Sequence, residues 1–364
     1  MLRAKGFLAH LLYDPLEGLT RAQETAMGAE WDFFHVLPSD RRRPIPEPAR
    51  HFAVDDWFDP RLGPFAALLD RRWRFELCIA NYVWMSAVLG FLPARVFKVV
   101  DTHDRFADRH TLSARSGLDP HWFYTSAAEE RAGLKRADLV LAIQDSEAAK
   151  FRDYGLARVE TVGLIMPARF LPPRPRRDRL RIGYLGSANP WNVRAIERFH
   201  AALAARPMLT EKLYPVLAGP ICAAVSGFNT LFHPLGIVDD PARLYAEVDL
   251  VINPAEGGTG LKIKTIEAFG YGVPLLSMRD GSVGTGTERP EHQLPSIAAL
   301  VDAVAAVESG AIDLPGLAAH SRRCFTAYTA RQVDSFDRAF PPVLGGSDAA
   351  ASVSRRITAS RAQE

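Results

Sequence analysis

Apolar runs of strand length alternate with segments whose apolar positions recur at helical spacing along most of the chain, the pattern of repeated strand-helix units around a parallel sheet. The first half predicts strands over 7–13, 75–80, 96–101, 139–143 and 159–162. Helices are predicted over 123–135 and 146–153, the latter opened by Ser146 as N-cap. Residues 1–6 read as the last turn of a helix running straight into the first strand, so this half is expected to lack its opening strand-helix unit. The alternation stops where Pro167, Pro172, Pro173 and Pro175 are interleaved with Arg174, Arg176, Arg177 and Arg179, a linker composition. It restarts with strands over 180–185, 214–218, 250–253 and 274–278 and helices over 193–205, 241–247, 262–271 and 296–307. The expected architecture is α/β: a Rossmann-like domain over 1–166, a linker over 167–179, a second Rossmann-like domain over 180–344 and a disordered tail over 345–364.

Composition narrows the class. With 364 residues, 48% hydrophobic and 24% charged, the chain suits one large or two ordinary globular domains. Its formal net charge of +2 gives no whole-chain field for nucleic acid or an anionic membrane, so any anion must be held by a local site. Cys78, Cys222 and Cys324 lie far apart, without a CxxC pair or zinc spacing, which fits a reducing cytoplasm rather than a disulfide framework. The longest apolar stretch, over 82–94, contains Ser86, Gly90 and Pro93 and is too short for a membrane span. The N-terminus shows no small-residue cleavage site after its short apolar run, so no signal peptide is read there.

The segment from Asn253 to Pro274 reads as strand, glycine-rich turn, helix and second strand. Glycines let backbone approach a phosphate closely, and a helix start supplies unpaired N–H groups and partial positive charge. Lys262 and Lys264 add full charges there, in a chain with only seven lysines among its 44 basic residues. A diphosphate fits this description; the alternative is an ordinary turn with solvated lysines. A P-loop ending at Lys264 would need glycine at position 263, and so would a dinucleotide fingerprint beginning at Gly258, but that residue is Ile263. A second cluster, Asp101, Thr102, His103, Asp104 and Arg105, falls at the C-terminal end of a predicted parallel strand, where open sheets place ligands. Two carboxylates and an imidazole could also ligate a metal, although no second cluster supports one. Arg105 and Arg109 either bind an acceptor anion or pair with Asp101 and Asp108. Gly186 ends a strand before a helix, so its amide is a candidate phosphate donor or part of a plain turn.

The run from Gly258 to Pro274 resembles the donor-binding signature of family 4 glycosyltransferases, the glycosyl transferases group 1, which have the GT-B fold of two facing Rossmann-like domains. The loop Gly186 to Asn192 and the stretches Ala137 to Gln144 and Val100 to Asp104 extend the resemblance over residues 70–310. It implies transfer of a sugar from a nucleotide diphosphate sugar, with retention of configuration and without a metal or other cofactor. It implies that Glu267 holds the ribose hydroxyls and that Gly258, Thr259, Gly260 and Leu261 face the sugar and diphosphate. Gly186, Ser187 and Asn192 would lie on the phosphate side, Lys262 and Lys264 would neutralise the leaving phosphate, and His103 with Asp104 would meet the transferred sugar across the cleft. The family often carries a carboxylate eight positions before Glu267, where this chain has Thr259; Glu256 is a weaker substitute. Implied partners are the donor and a sugar, lipid-linked sugar or other small acceptor, with no nucleic acid. The family-level expectation is envelope polysaccharide or glycolipid synthesis, in the cytoplasm or at the inner face of its membrane. A nucleotide-sugar epimerase of the same fold and a non-catalytic nucleotide-sugar-binding protein are the rival readings.

Overall fold

A computed structural model describes residues 1–16, 18–37, 50–120, 122–175, 177–225 and 231–341. The chain opens with a 3₁₀ turn at Arg3–Lys5, followed by β1 (His10–Tyr13), α1 (Arg21–Glu30) and β2 (Phe33–Val36); the two strands pair in parallel as a sheet of their own. Then come α2 (Leu62–Trp73), β3 (Leu77–Asn81), a 3₁₀ segment at Val83–Phe91, β4 (Phe97–Asp101), α3 (Arg109–Arg115), α4 (Ala127–Leu134), β5 (Leu139–Ala142), α5 (Asp145–Asp153) and β6 (Val159–Thr161). Strands β3, β4, β5 and β6 lie side by side in that order, all parallel. The second half contains β7 (Leu180–Leu185), α6 (Pro190–Ala204), α7 (Pro207–Thr210), β8 (Leu213–Ala218), α8 (Ile221–Ala224), β9 (His233–Pro234), α9 (Ala242–Tyr245), β10 (Leu250–Asn253), α10 (Ile263–Tyr271), β11 (Leu275–Ser277), α11 (Ile297–Glu308) and α12 (Leu314–Ala339). Its five parallel strands run β11-β10-β7-β8-β9.

That order reverses direction between β7 and β10, and a crevice opens at such a switch point beyond the carboxyl ends of the strands. The loops after β7 and β10 therefore flank one site. Helix α6 is fixed beside it by Asn189, whose side chain caps the Asn192 amide, by Pro190 at its first turn, and by burial of Ala195, Ile196, Phe199 and Leu203. Helix α10 ends at Gly272, in the left-handed conformation at φ 66° that glycine adopts without a Cβ clash.

The core of the first half is aromatic. Phe52, Trp57, Trp84, Phe106 and Phe123 pack together almost wholly shielded from solvent, each worth about 2–3 kcal/mol in transfer alone. Helix α12 joins the halves. Its Phe325 and Tyr328 pack with α10, while Phe336 and Ala339, with Phe340 beyond them, pack on Val99, Leu139 and Leu141 of the first sheet. Gln332 accepts the Gly163 amide at 2.7 Å and Asp337 pairs with Lys5 at 2.7 Å.

The expected α/β architecture of two parallel-sheet halves is the one observed. Local differences have physical causes. Ser146 is not an N-cap: α5 begins at Asp145, with Gln144 in the capping position. The helix expected from residue 123 begins at Ala127, because Ser126 caps it and Phe123 and Tyr124 are buried core residues ahead of the cap. Residues 7–9 precede rather than belong to β1. The expected tail lies outside the described residues. No helix of the described residues is long and apolar enough to cross a membrane.

Candidate active site in the cleft

The loop leaving β10 is pinned from below. Buried Asn253 donates its side-chain amide to Thr265 Oγ1 at 3.0 Å and to the Gly281 carbonyl at 3.1 Å, and Thr265 donates to that carbonyl at 2.6 Å. Asp280 accepts the Gly257 amide at 2.6 Å. Gly257 and Gly260 have φ of 74° and 73°, and a Cβ on Gly257 would fall 2.8 Å from the Trp191 ring. The loop thus turns tightly against α6 and delivers two lysines to the start of α10. Lys262 Nζ donates to the Thr259 carbonyl at 3.0 Å; burial lowers its pKa, with Asp104 and Asp280 opposing. Lys264 Nζ donates to Asn192 Oδ1 at 3.0 Å and lies 5.4 Å from the Tyr184 ring centroid. Burial and then the charge of Lys262 push its pKa down to about 8. Asn192 is held in turn by Tyr184 Oη, which donates to its Oδ1 at 2.9 Å, while its own amide donates to the Ser187 carbonyl and hydroxyl at 3.0 Å each. Between the starts of α6 and α10 lies a cavity of about 240 Å³, lined by Arg109, Leu112, Asn189, Trp191, Asn192, Asn253 and the loop residues Ala255 to Thr259 and Leu261 to Lys264.

The first half supplies the opposite wall. Asp104 accepts the Arg105 amide at 2.9 Å and the Thr259 hydroxyl at 3.0 Å, and its carboxylate lies 3.1 Å from Arg109 Nη1. Glu147, in the first turn of α5, accepts the Gly260 amide at 2.9 Å through Oε1. Glu147 Oε2 and Gln144 Oε1 are buried without a hydrogen-bond partner among the described residues. Burial first, and the charge of Asp104 second, push the Glu147 carboxyl up to about 7. His103 has φ 55°, stacks obliquely on Tyr82 at 4.6 Å, and its Nε2 lies 2.9 Å from Asn81 Oδ1 and 3.6 Å from Asp101. Burial raises the Asp101 pKa, against the opposing effect of His103.

The fold gathers Asn192, Gly258, Thr259, Leu261, Lys262 and Lys264 around one cavity, with Asp104 touching it through Thr259. Two expectations are corrected. The Gly186 amide is not free for a phosphate, since it donates to the Ala218 carbonyl at 3.1 Å as β7 ends beside β8. The Gly260 amide likewise faces Glu147 rather than the cavity. Ser187 acts on Asn192 and Asn189. Glu267, one turn beyond Lys264, is half-buried outside the cavity wall; Tyr245 Oη donates to it at 3.4 Å, and burial raises its pKa. Glu256 is paired with Arg198 at 2.5 Å. Arg109 pairs with Asp104, whereas Arg105 lies 3.8 Å from Asp108 and 3.9 Å from Glu130. Among the described residues no group of three or more His, Cys, Asp or Glu side chains is placed to hold a metal ion. Sequence reasoning missed Glu147, Gln144, Asn253 and Asp280. Glu147 had one usable signal, its place just past the carboxyl end of β5.

No family model matches the chain, and no curated protein matches it. Solved structures do. HepE from Anabaena, determined in complex with UDP, is 16% identical with a TM-score of 0.59, the match covering 97% of this chain and 94% of that one. Sucrose-phosphate synthase from Thermosynechococcus elongatus is 16% identical with a TM-score of 0.55, covering 93% and 92%. The pneumococcal O-GlcNAc transferase GtfA, in complex with UDP and GlcNAc, is 13% identical with a TM-score of 0.55, covering 76% of this chain and 59% of that one. At these identities the likeness concerns architecture, and the architecture is the GT-B fold of two parallel-sheet halves closing on a cleft.

Proposed function

We propose that this protein is a glycosyltransferase of the family 4 type, moving a sugar from a nucleotide diphosphate sugar to an acceptor in the cleft. The observation that carries the reading is the pair Lys262 and Lys264, both directed to one cavity between two helix starts at the switch point of the second sheet. Similar structures bound to UDP support the nucleotide. Glu267 lies on the same face of α10 as Lys264, one turn on, and we assign it to the ribose hydroxyls.

The chemistry follows from where charge develops. When the bond from the anomeric carbon to the diphosphate oxygen breaks, negative charge accumulates on the departing diphosphate. Two ammonium groups already in place, half-buried on the cavity wall, stabilise that charge more than they stabilise the intact donor. The acceptor oxygen bonds to the anomeric carbon from the side the diphosphate leaves, so configuration is retained, and its proton passes to a leaving phosphate oxygen. Lysine charge fills the neutralising role in this reading, so no metal is assigned to the step. His103, which lies outside the cavity lining beside Asp104 and keeps part of its ring exposed, is assigned to the transferred sugar.

The test is to incubate the protein with UDP-, GDP- and ADP-sugars, each with a panel of sugar acceptors, and to analyse products by chromatography. Acceptor-dependent release of the nucleoside diphosphate is expected from one donor class. Tight UDP binding by calorimetry with no turnover of any donor would favour a binding protein instead, and epimerised donor would favour the epimerase reading.

A further inference from the structure

Next to the donor cavity lies a second one, of about 330 Å³, to which the donor chemistry gives no role. Trp191, Glu256 and Gly257 belong to both, so a molecule in one abuts a molecule in the other. The walls of the second cavity come from both halves: Arg115 and Ser116 end α3, while Trp191, Arg194 and Arg198 lie on one face of α6. The nearby charges are unequally satisfied. Arg198 is paired with Glu256, and Asp280 is occupied by the Gly257 amide. Arg115 and Arg194 pair with no carboxylate among the described residues. Arg194 reaches across the cleft, its Nη1 only 3.8 Å from where a Cβ on Gly117 would stand. Two guanidinium groups, one from each half, thus line a concave site in which neither is engaged in an ion pair with a described residue, beside a half-buried tryptophan and with the Asp280 carboxylate on the same lining. Three arginines against the two carboxylates Glu256 and Asp280 leave the lining with an excess of positive charge that a bound anion would balance.

We propose that the cavity between Arg115 and Arg194 is an acceptor subsite for a saccharide bearing an anionic group, a carboxylate or a phosphate, with Trp191 as the surface on which its ring packs. This rests on reading the adjoining cavity as the donor site, because the shared wall is what makes a ligand here an acceptor. Guanidinium forks suit either anion, since both present paired oxygens. An aromatic face next to charged groups suits a pyranose, whose C–H faces are apolar and whose edges are polar.

The test measures binding rather than turnover. Glucuronic acid, glucose 6-phosphate and glucose are titrated into the protein saturated with UDP, at low and moderate salt, with Arg194→Gln, Arg115→Gln and the double variant alongside. The expected result is that at least one anionic sugar binds tenfold or more tightly than glucose and weakens with salt. Each single variant should lose about tenfold for that sugar, and the double variant should bind it no better than glucose. Whichever probe is stronger identifies carboxylate or phosphate as the favoured anion. Equal binding of all three sugars by the wild type, or unaltered anion binding by the double variant, would overturn the subsite. Unchanged melting temperatures of the variants establish that a loss is local. Failure of UDP itself to bind the wild type would count against the donor reading and is seen separately, before any sugar is added.

Discussion

Lys264 offers a prediction that can be worked to a number. Its ammonium is pushed down to about 8 by burial and by Lys262, so its charge is lost within the range where the protein can be studied. An anion bound against Nζ requires the protonated form. The charged fraction falls from about nine-tenths at pH 7 to about one-tenth at pH 9, and an apparent dissociation constant scales inversely with the competent fraction. UDP affinity should therefore drop about tenfold over those two pH units, about 1.4 kcal/mol. Lys262, also lowered by burial, acts in the same direction. Isothermal calorimetry in buffers of differing ionisation enthalpy reads both the affinity and the proton taken up. The comparison protein is Lys264→Met, which should bind UDP more weakly throughout and with a shallower pH dependence; any titration of the nucleotide itself appears equally in both. If wild type and variant lose affinity in parallel from pH 7 to 9, or if affinity rises with pH, Lys264 does not meet the phosphate and the argument fails.

Four further outcomes are expected. Without ligand, Lys264 has the opposite effect on stability: the unfolded chain holds the proton to about 10.5 while the folded chain releases it near 8, so stability should rise across that window. Denaturant titrations of wild type and Lys264→Met should diverge only there. Glu147, raised to about 7 from 4.5, makes the folded state lose stability as pH climbs between those values, so Glu147→Gln should gain up to about 3 kcal/mol on wild type at pH 8 and little at pH 4. Asn253→Ala removes two buried hydrogen bonds beneath the loop and should cost about 2 kcal/mol in chemical denaturation. Gly163→Ala puts a Cβ 2.2 Å from Tyr328 Oη and should cost about 1–3 kcal/mol, part of which Tyr328→Phe restores; no rescue would show that the clash is with the Ile143 carbonyl, 3.0 Å away.

The elements that were legible in the sequence are those whose side chains obey one period. Strand β7 matches its predicted span and β10 likewise, because both are flanked by turns and β10 is buried on both faces. Helix α1 was invisible for the converse reason: it buries no residue, so it has no apolar stripe to detect. Helix α12 was missed although it is 26 residues long, since its inner face includes Ser321, Gln332 and Ser335 among the apolar residues. Those polar groups answer particular partners, as Ser321 does in donating to the Val273 carbonyl at 2.8 Å.

The candidate site divides in the same way. Lysines at a glycine-rich helix start are a local signal, and the cavity forms there. The partners of Thr259 and Gly260 are not local, since Asp104 and Glu147 arrive from the other half of the chain. The Gly186 amide was misread because a turn residue after a strand looks alike in sequence whether its N–H completes the sheet or faces a ligand.

Every functional role assigned above requires a nucleoside diphosphate between the starts of α6 and α10. A crystal structure with UDP tests that placement most directly. Phosphate oxygens should lie within about 3 Å of Lys264 Nζ, a normal hydrogen-bond reach, with the ribose beside Glu267. A nucleotide bound elsewhere, with Lys264 still engaged only by Asn192, would contradict it.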